Sequence, residues 1–397
     1  MPTAATTVAG TNSPGNTSGT RTSAPVATVP FIRASSEHRE STGIDVTRQL
    51  TAGNQDLGVF DIPAYGYLRS LLVVVTASGG TGVPTFFEDY PWSVLQNIAL
   101  TEPNGAVIAQ FNSGYELMLA NKWGGYRHVA GIDPRSSPAY QSGAANGDFT
   151  FVLRVPVEIN LRDALGSLPN QNAAATFKLR MQLGSGAING GLYTATAPTA
   201  LPNVRVQVYL EAWDQPEAGQ AGMSNQVTPP AMNTTQFWSS QIFNLNTGMN
   251  TVRLTRVGNY IRNLVLVCRR SGAPNIRSTG AGDFPDPATF FLDTRPLDTI
   301  PRGVWRHTMF ERSGMGSRAS AGVLTAPVPD DSAGGLDAGV FVYDFTHEFD
   351  GSLGHENRDL WLPTLGSTRL ELQGTFGGAD VLTVLTNDVA IAGPVFL

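Results

Sequence analysis

Lysine is almost missing from this chain. Of 26 basic residues only Lys122 and Lys178 are lysines, and neither follows a glycine, so a Gly-Lys-Ser/Thr phosphate loop is excluded. Cysteine is scarcer still: Cys268 is the only one, so no internal disulfide can form. It lies in an apolar run and reads as a small core residue, not a nucleophile. Charged residues make up 15% and the net charge is −6, a poor match to a protein that coats nucleic acid by neutralising phosphates. No apolar run approaches the ~20 residues of a membrane span. No charged start followed by an apolar core marks a signal peptide, and the expectation is a soluble protein made in the cytoplasm.

What the chain does have is turn residues and short strands. Gly (43) and Pro (26) are abundant beside 41% apolar residues, which favours a β-rich fold with many turns over a helical bundle. At 397 residues the chain suits two domains. Residues 1–36 are rich in Thr, Ser, Ala and Gly and poor in apolar side chains, and read as a flexible N-terminal arm. From about residue 44 short strand-like runs follow one another, among them "YLRSLLVVV", "VLQNIALTE", "FTFVLRVPVEI" and "VRVQVYLEAW". Glu102-Pro103-Asn104-Gly105 supplies the residues of a type I turn closing a hairpin. A polar, Pro/Gly-rich stretch over 214–235 reads as a linker, after which the strand pattern restarts. The expected fold class is all-β, with two tandem eight-stranded β-sandwiches over 37–213 and 236–397.

One helix is expected in each half. Ser113–Trp123 opens with a Ser-x-x-Glu capping box, Ser113 and Glu116, and places Tyr115, Met118, Leu119 and Trp123 at helical spacing. Pro301–Gly314 has Pro at its start and Gly past its end, with Val304, Trp305, Thr308 and Met309 as its apolar face. The halves also echo each other. "YLRSLLVVV" from Tyr67 returns 193 residues later as "YIRNLVLVC" from Tyr260, which sets Arg262 opposite Arg69 and Cys268 opposite Val75. The same offset carries the centre of the first helix into the second. A strand and a helix repeating in the same order point to two copies of one fold.

Residues that could carry chemistry are scattered. His347-Glu348 and His355-Glu356 are the nearest thing to a metal pattern, but they match neither a helical zinc spacing nor a His-x-His set. Asp330, Asp331, Asp337 and Glu348 could pair as acid and base or hold a weak Ca²⁺, as could the carboxylates of any β-protein of this length; solvated loops are the reading adopted. No Gly-x-Ser-x-Gly is present. Arg269-Arg270 is read as an interface or surface pair. The tryptophans at 92, 123, 213, 238, 305 and 361 fall at strand and helix positions and are expected in the core. No catalytic, cofactor-binding or metal-binding residue is assigned, and no cofactor is expected.

The segment from Pro91 to Gly125 carries a resemblance. Pro91-Trp92 leads into a strand, the Glu102–Gly105 turn follows, and Ser113-Gly114-Tyr115-Glu116 opens a helix ending near Asn121-Lys122. This resembles the first roll of double jelly-roll major capsid proteins of tectivirus- and corticovirus-like icosahedral bacteriophages, with Glu102 where Asp is expected. The closing stretch "STRLELQGTFGGADVLTVLTNDVAIAG" is similar to the last hairpin of the second roll. The resemblance implies a structural, non-enzymatic virion protein: a homotrimer of pseudo-hexameric outline that tiles a capsid, made in the host bacterial cytoplasm. Its implied partners are itself, penton and minor capsid proteins and an internal lipid membrane, with no sequence-specific nucleic acid. Arg69 and Arg262, by their matched places, are the candidates for subunit interfaces. A two-domain receptor- or carbohydrate-binding β-sandwich is the alternative reading, and an enzyme on paired jelly rolls is the third.

Overall fold

The computed structural model describes residues 30–124, 141–143, 146–159, 164–216, 228–229, 234–270, 276–278, 283–313, 339–346, 360–378 and 381–391. Residues 1–29 of the arm, most of the linker, the carboxylates at 330, 331, 337 and 348, and His128, His347 and His355 lie outside them.

The strands of each half fold into two facing sheets. In the first half one sheet runs in the order Glu37–Gln49, Asn203–Trp213, Tyr67–Ser78, Asp148–Pro156, Gln141–Gly143. Its partner runs Gln55–Asp61, Lys178–Leu183, Leu95–Thr101, Val107–Ser113. The second half repeats the scheme. Thr234–Asn244, Val381–Ile391, Tyr260–Arg269 and Val340–Asp344 form one sheet, and Gly248–Leu254, Leu370–Phe376, Ala288–Leu292 and Arg295–Ile300 the other. Within each sheet these pairs are antiparallel and each sheet mixes strands distant in sequence, the topology of a jelly roll.

The sequence echo has a structural counterpart. Tyr67–Ser78 and Tyr260–Arg269 occupy the same place in their rolls, and the ladder of each slips by one residue at its arginine. The slip falls between partners of Leu68 and Ser70 in one and between Ile261 and Asn263 in the other, leaving Arg69 and Arg262 at the bulge. Beyond it, Leu71, Val73 and Val75 face the first core, and Leu264, Leu266 and Cys268 face the second, all with no exposed surface. Each such side chain contributes ~1.5–3 kcal/mol by leaving water.

The Glu102–Gly105 turn forms as expected. Gly105 N donates to Glu102 O at 2.9 Å, and Gly105 takes φ +88°, which a side chain would resist. Glu37–Gln49 was not anticipated before residue 44. Its sequence "EHRESTGIDVTRQ" is polar because it is an edge strand whose side chains are mostly wet, so it carries no apolar signal. Phe31–Ala34, inside the expected arm, is a helical turn (α1) that seats Phe31 edge-on against Tyr67 and Trp213 at 5.4 and 6.4 Å.

The two longer helices differ from expectation in instructive ways. Gly114–Trp123 (α2) starts at Ser113, whose Oγ accepts the Glu116 N–H at 3.4 Å. The Glu116 carboxylate reaches back one residue further than a capping box would, accepting from Asn112 N at 2.8 Å. This helix is not amphipathic in its surroundings: every residue but Lys122 is buried. Gly114 is required at its start, because a Cβ there would sit 2.2 Å from Trp92 O. Arg302–Ser313 (α3) buries Trp305 and Met309, yet Val304, expected on the apolar face, is 55% exposed. Among the described residues of that face, Trp305 and Met309 are covered and Val304 is not.

Candidate functional site: the junction between the rolls

Charged and polar side chains are concentrated where the two rolls meet. Strand Val107–Ser113, at one edge of the first roll, runs parallel to Thr234–Asn244 of the second, with Ala109 opposite Trp238. The two sheets thereby become one nine-stranded sheet. Trp238 lies over Phe111 of the first roll, ring centroids 6.1 Å apart, and Asn112 Nδ2 donates to Ser240 Oγ at 2.8 Å. One apolar cluster therefore runs through both rolls, and a second, Ile159, Leu165, Trp361 and Val389, bridges them elsewhere.

A charge cluster lies beside this seam. Asp89 of the first roll is fully buried; its Oδ2 accepts from Arg269 NH1 at 2.6 Å, and its Oδ1 is 3.1 Å from Arg277 Nε. Glu88 holds the backbone of Arg277, accepting its N–H at 3.1 Å. Both guanidinium groups also lie near the ring of Tyr115 on α2, Cζ to centroid 5.8 and 5.1 Å. Burial works against the charge on Arg269, but Asp89, with Glu116 and Tyr115, outweighs it and raises its pKa. Burial pushes the Glu116 carboxyl up, against the pull of the Asn112 N–H and of Arg269. Removing water from such ions is costly, and the arrangement holds only while each has its partner.

The twin arginines take different roles. Arg262 NH1 donates to Asn387 Oδ1 at 2.6 Å and to Gln236 Oε1 at 3.4 Å, while its NH2 reaches Gly124 O at the end of α2 at 3.4 Å. Asn263 Nδ2 donates to Trp123 O at 3.2 Å, so the second roll caps the helix of the first. Gln236 Nε2 completes the seam by donating to Val157 O and Glu158 O, both at 3.0 Å. Arg69 stays within its own roll. Its Nε donates to Glu158 Oε2 at 2.5 Å and its guanidinium stacks on Trp213 at 4.2 Å. Burial raises the Glu158 carboxyl to about 7 despite Arg69.

Other expected residues fall into place around this seam. Arg269 is a junction residue, whereas Arg270 is exposed and 3.8 Å from Asp283. Trp123, Trp213, Trp238, Trp305 and Trp361 are buried, and Trp92 is half-buried. Burial also raises the Cys268 thiol far above its usual range. Asp89, Arg277 and Gln236 escaped the sequence reading. Their loops and strands carry no motif, and only the meeting of two distant segments, 180 residues apart for Asp89 and Arg269, gives them a role. Among the described residues no group of three or more His, Cys, Asp or Glu is arranged to hold a metal ion. Also among them, no helix is long and apolar enough to cross a membrane.

No protein-family model matches the chain, and no curated protein matches it in sequence. Solved structures do match. The atomic structure of Sulfolobus Turreted Icosahedral Virus aligns at TM-score 0.58 and 11% identity, over 90% of this chain and 91% of that one. The crystal structure of the STIV MCP aligns at TM-score 0.56 and 12% identity, over 90% and 97%. The quasi-atomic PBCV-1 virus capsid aligns at 0.52 and 11%, over 91% and 97%. The likeness spans about nine tenths of the chain, and at such identity what it carries is architecture: the chain has the double jelly-roll fold of viral major capsid proteins.

Proposed function

We propose that the chain is a major capsid protein, a structural and non-enzymatic component of a virion. In this reading it self-assembles as a homotrimer of pseudo-hexameric outline that tiles an icosahedral bacteriophage shell. The observation that supports this best is the junction. Two rolls held side by side by one continuous sheet and a buried charge cluster behave as a single building block, and three such blocks give six rolls. Penton and minor capsid proteins and an internal membrane are the further partners this reading brings. The test is the solution mass of the purified chain with negative-stain images. The expected result is a species of three times 42.2 kDa with a six-sided outline. A monomer at all concentrations that binds a glycan instead would replace this reading with that of a binding module.

A further inference from the structure

The two longer helices are fastened to their rolls differently. In the first roll Asn121 of α2 donates to Arg154 O at 2.6 Å and accepts from Arg154 N at 2.8 Å, which ties the helix to strand Asp148–Pro156. In the second, α3 is held through Trp305 Nε1, which donates to Val342 O at 2.5 Å. Beside that bond lies a cavity of about 410 Å³, between α3, the end of Arg295–Ile300, strand Val340–Asp344 and Trp123 at the end of α2. Its volume is in the range of small-molecule sites.

Three features of the walls bear on what the cavity holds. Tyr343 and Phe345, ring centroids 4.8 Å apart, line it and are half-buried, so both have ring surface left to cover. Asp298 and Asp344 line it too, and no Lys, Arg or His is among its described lining residues. Asp298 Oδ2 accepts the Tyr343 hydroxyl at 3.0 Å, and a carboxylate can accept several donors at once. The third feature is an orphan donor in the wall. Trp123 is 4% exposed, and its indole Nε1 is buried without a hydrogen-bond partner among the described residues. A buried N–H left unpaired costs stability and is rare in a native fold, so its place beside a cavity calls for an acceptor from outside the chain.

We infer that this cavity is a binding site for an uncharged sugar residue at the end of a glycan chain. The two carboxylates repel an acidic sugar. A cation would be drawn to them and to the ring faces, but it leaves the Trp123 N–H without an acceptor. A sugar hydroxyl meets both needs, since it accepts from the indole and donates to a carboxylate. The C–H face of the sugar ring then covers Tyr343 and Phe345. Val304 and Leu360, 55% and 36% exposed, also stand on the lining, which lets the rest of the glycan run out into solvent. Every group named belongs to one copy of the chain, so the inference stands apart from the self-assembly proposed above.

Saturation-transfer NMR on the full chain tests the site. The probes are the methyl glycosides of glucose, galactose, mannose and N-acetylglucosamine, each in large excess, with benzyltrimethylammonium as the cationic comparison. Saturation is expected to reach the ring protons of at least one glycoside. Trp123→Phe removes the N–H and keeps a ring; it is expected to weaken that glycoside about three- to tenfold without lowering the thermal midpoint. Thr308→Trp, which fills the cavity, is expected to abolish the transfer. Transfer that survives both substitutions arises elsewhere and overturns the site. Transfer to benzyltrimethylammonium and to no glycoside overturns the sugar assignment. Transfer to none of the probes, from a chain that is a trimer by mass, overturns the site and leaves the shell reading standing. A chain that is a monomer by mass and shows the Trp123-dependent transfer keeps the site and overturns the shell reading.

Discussion

The two rolls present nearly the same strand to two different environments. Val265 and Val267 are sealed beneath the neighbouring roll, and Leu72 and Val74 half face solvent, although all four are aliphatic. Such side chains suit a strand on either face, so their identity does not say which face is covered. What separates the two strands is the cover the fold lays over each, not their own composition. The arginines at the twin bulges add to this. Arg262 reaches across the seam to Gly124 O and also bonds Gln236 and Asn387, whereas Arg69 bonds the Glu158 carboxylate inside one roll.

Three experiments test this contrast between the rolls. The largest effect is expected at the charge cluster, which only the internal junction has. Asp89→Ala leaves the Arg269 and Arg277 guanidinium groups buried without their shared carboxylate, and should cost about 3–5 kcal/mol in urea unfolding. An unchanged midpoint would show that the charges do not hold the rolls together.

The second experiment places the same change on both faces. Val267→Asp puts a carboxylate in a sealed site and should cost about 3 kcal/mol. Val74→Asp, measured where the chain is monomeric, should cost less than about 1 kcal/mol because water still reaches it. Equal losses would erase the distinction between the faces.

The smallest effect separates the arginines by pH. Burial lifts the folded Glu158 pKa from 4.5 to about 7, so between these values the folded chain binds more protons than the unfolded one. Its contribution to stability is therefore present below about 4.5 and is lost as pH rises to about 7, by at most about 3 kcal/mol. Unfolding of wild type and Glu158→Gln across pH 4–8 should show that slope in the first and its absence in the second. A slope that survives the substitution would assign the pH dependence to other groups.

Much of this architecture was legible because it rests on local physics. Alternation in "VRVQVYLEAW" places Val204, Val206, Val208 and Leu210 on one face, and those residues are in the core. Ser113 and Glu116 mark the start of α2, and Pro103-Asn104-Gly105 marks its preceding hairpin, whatever else surrounds them. The echo from Tyr67 to Tyr260 points by itself to two copies of one fold. Polar edges were harder. Glu37–Gln49 and Arg295–Ile300 have little apolar signal, since one side of each strand pairs and the rest meets solvent.

Most of the strands, the two longer helices and the duplication can be read from the chain alone, because periodicity, turn residues and caps act over a few residues. Tertiary packing sets the rest: that Asp89 meets Arg269 and Arg277, that Gln236 and Arg262 bind the other roll, and that α2 is buried almost all round while α3 leaves Val304 exposed. Those outcomes depend on which distant surfaces come together. A buried ion or an apolar outer face acquires its meaning from the partner across the seam, and nothing within a few residues of it specifies that partner.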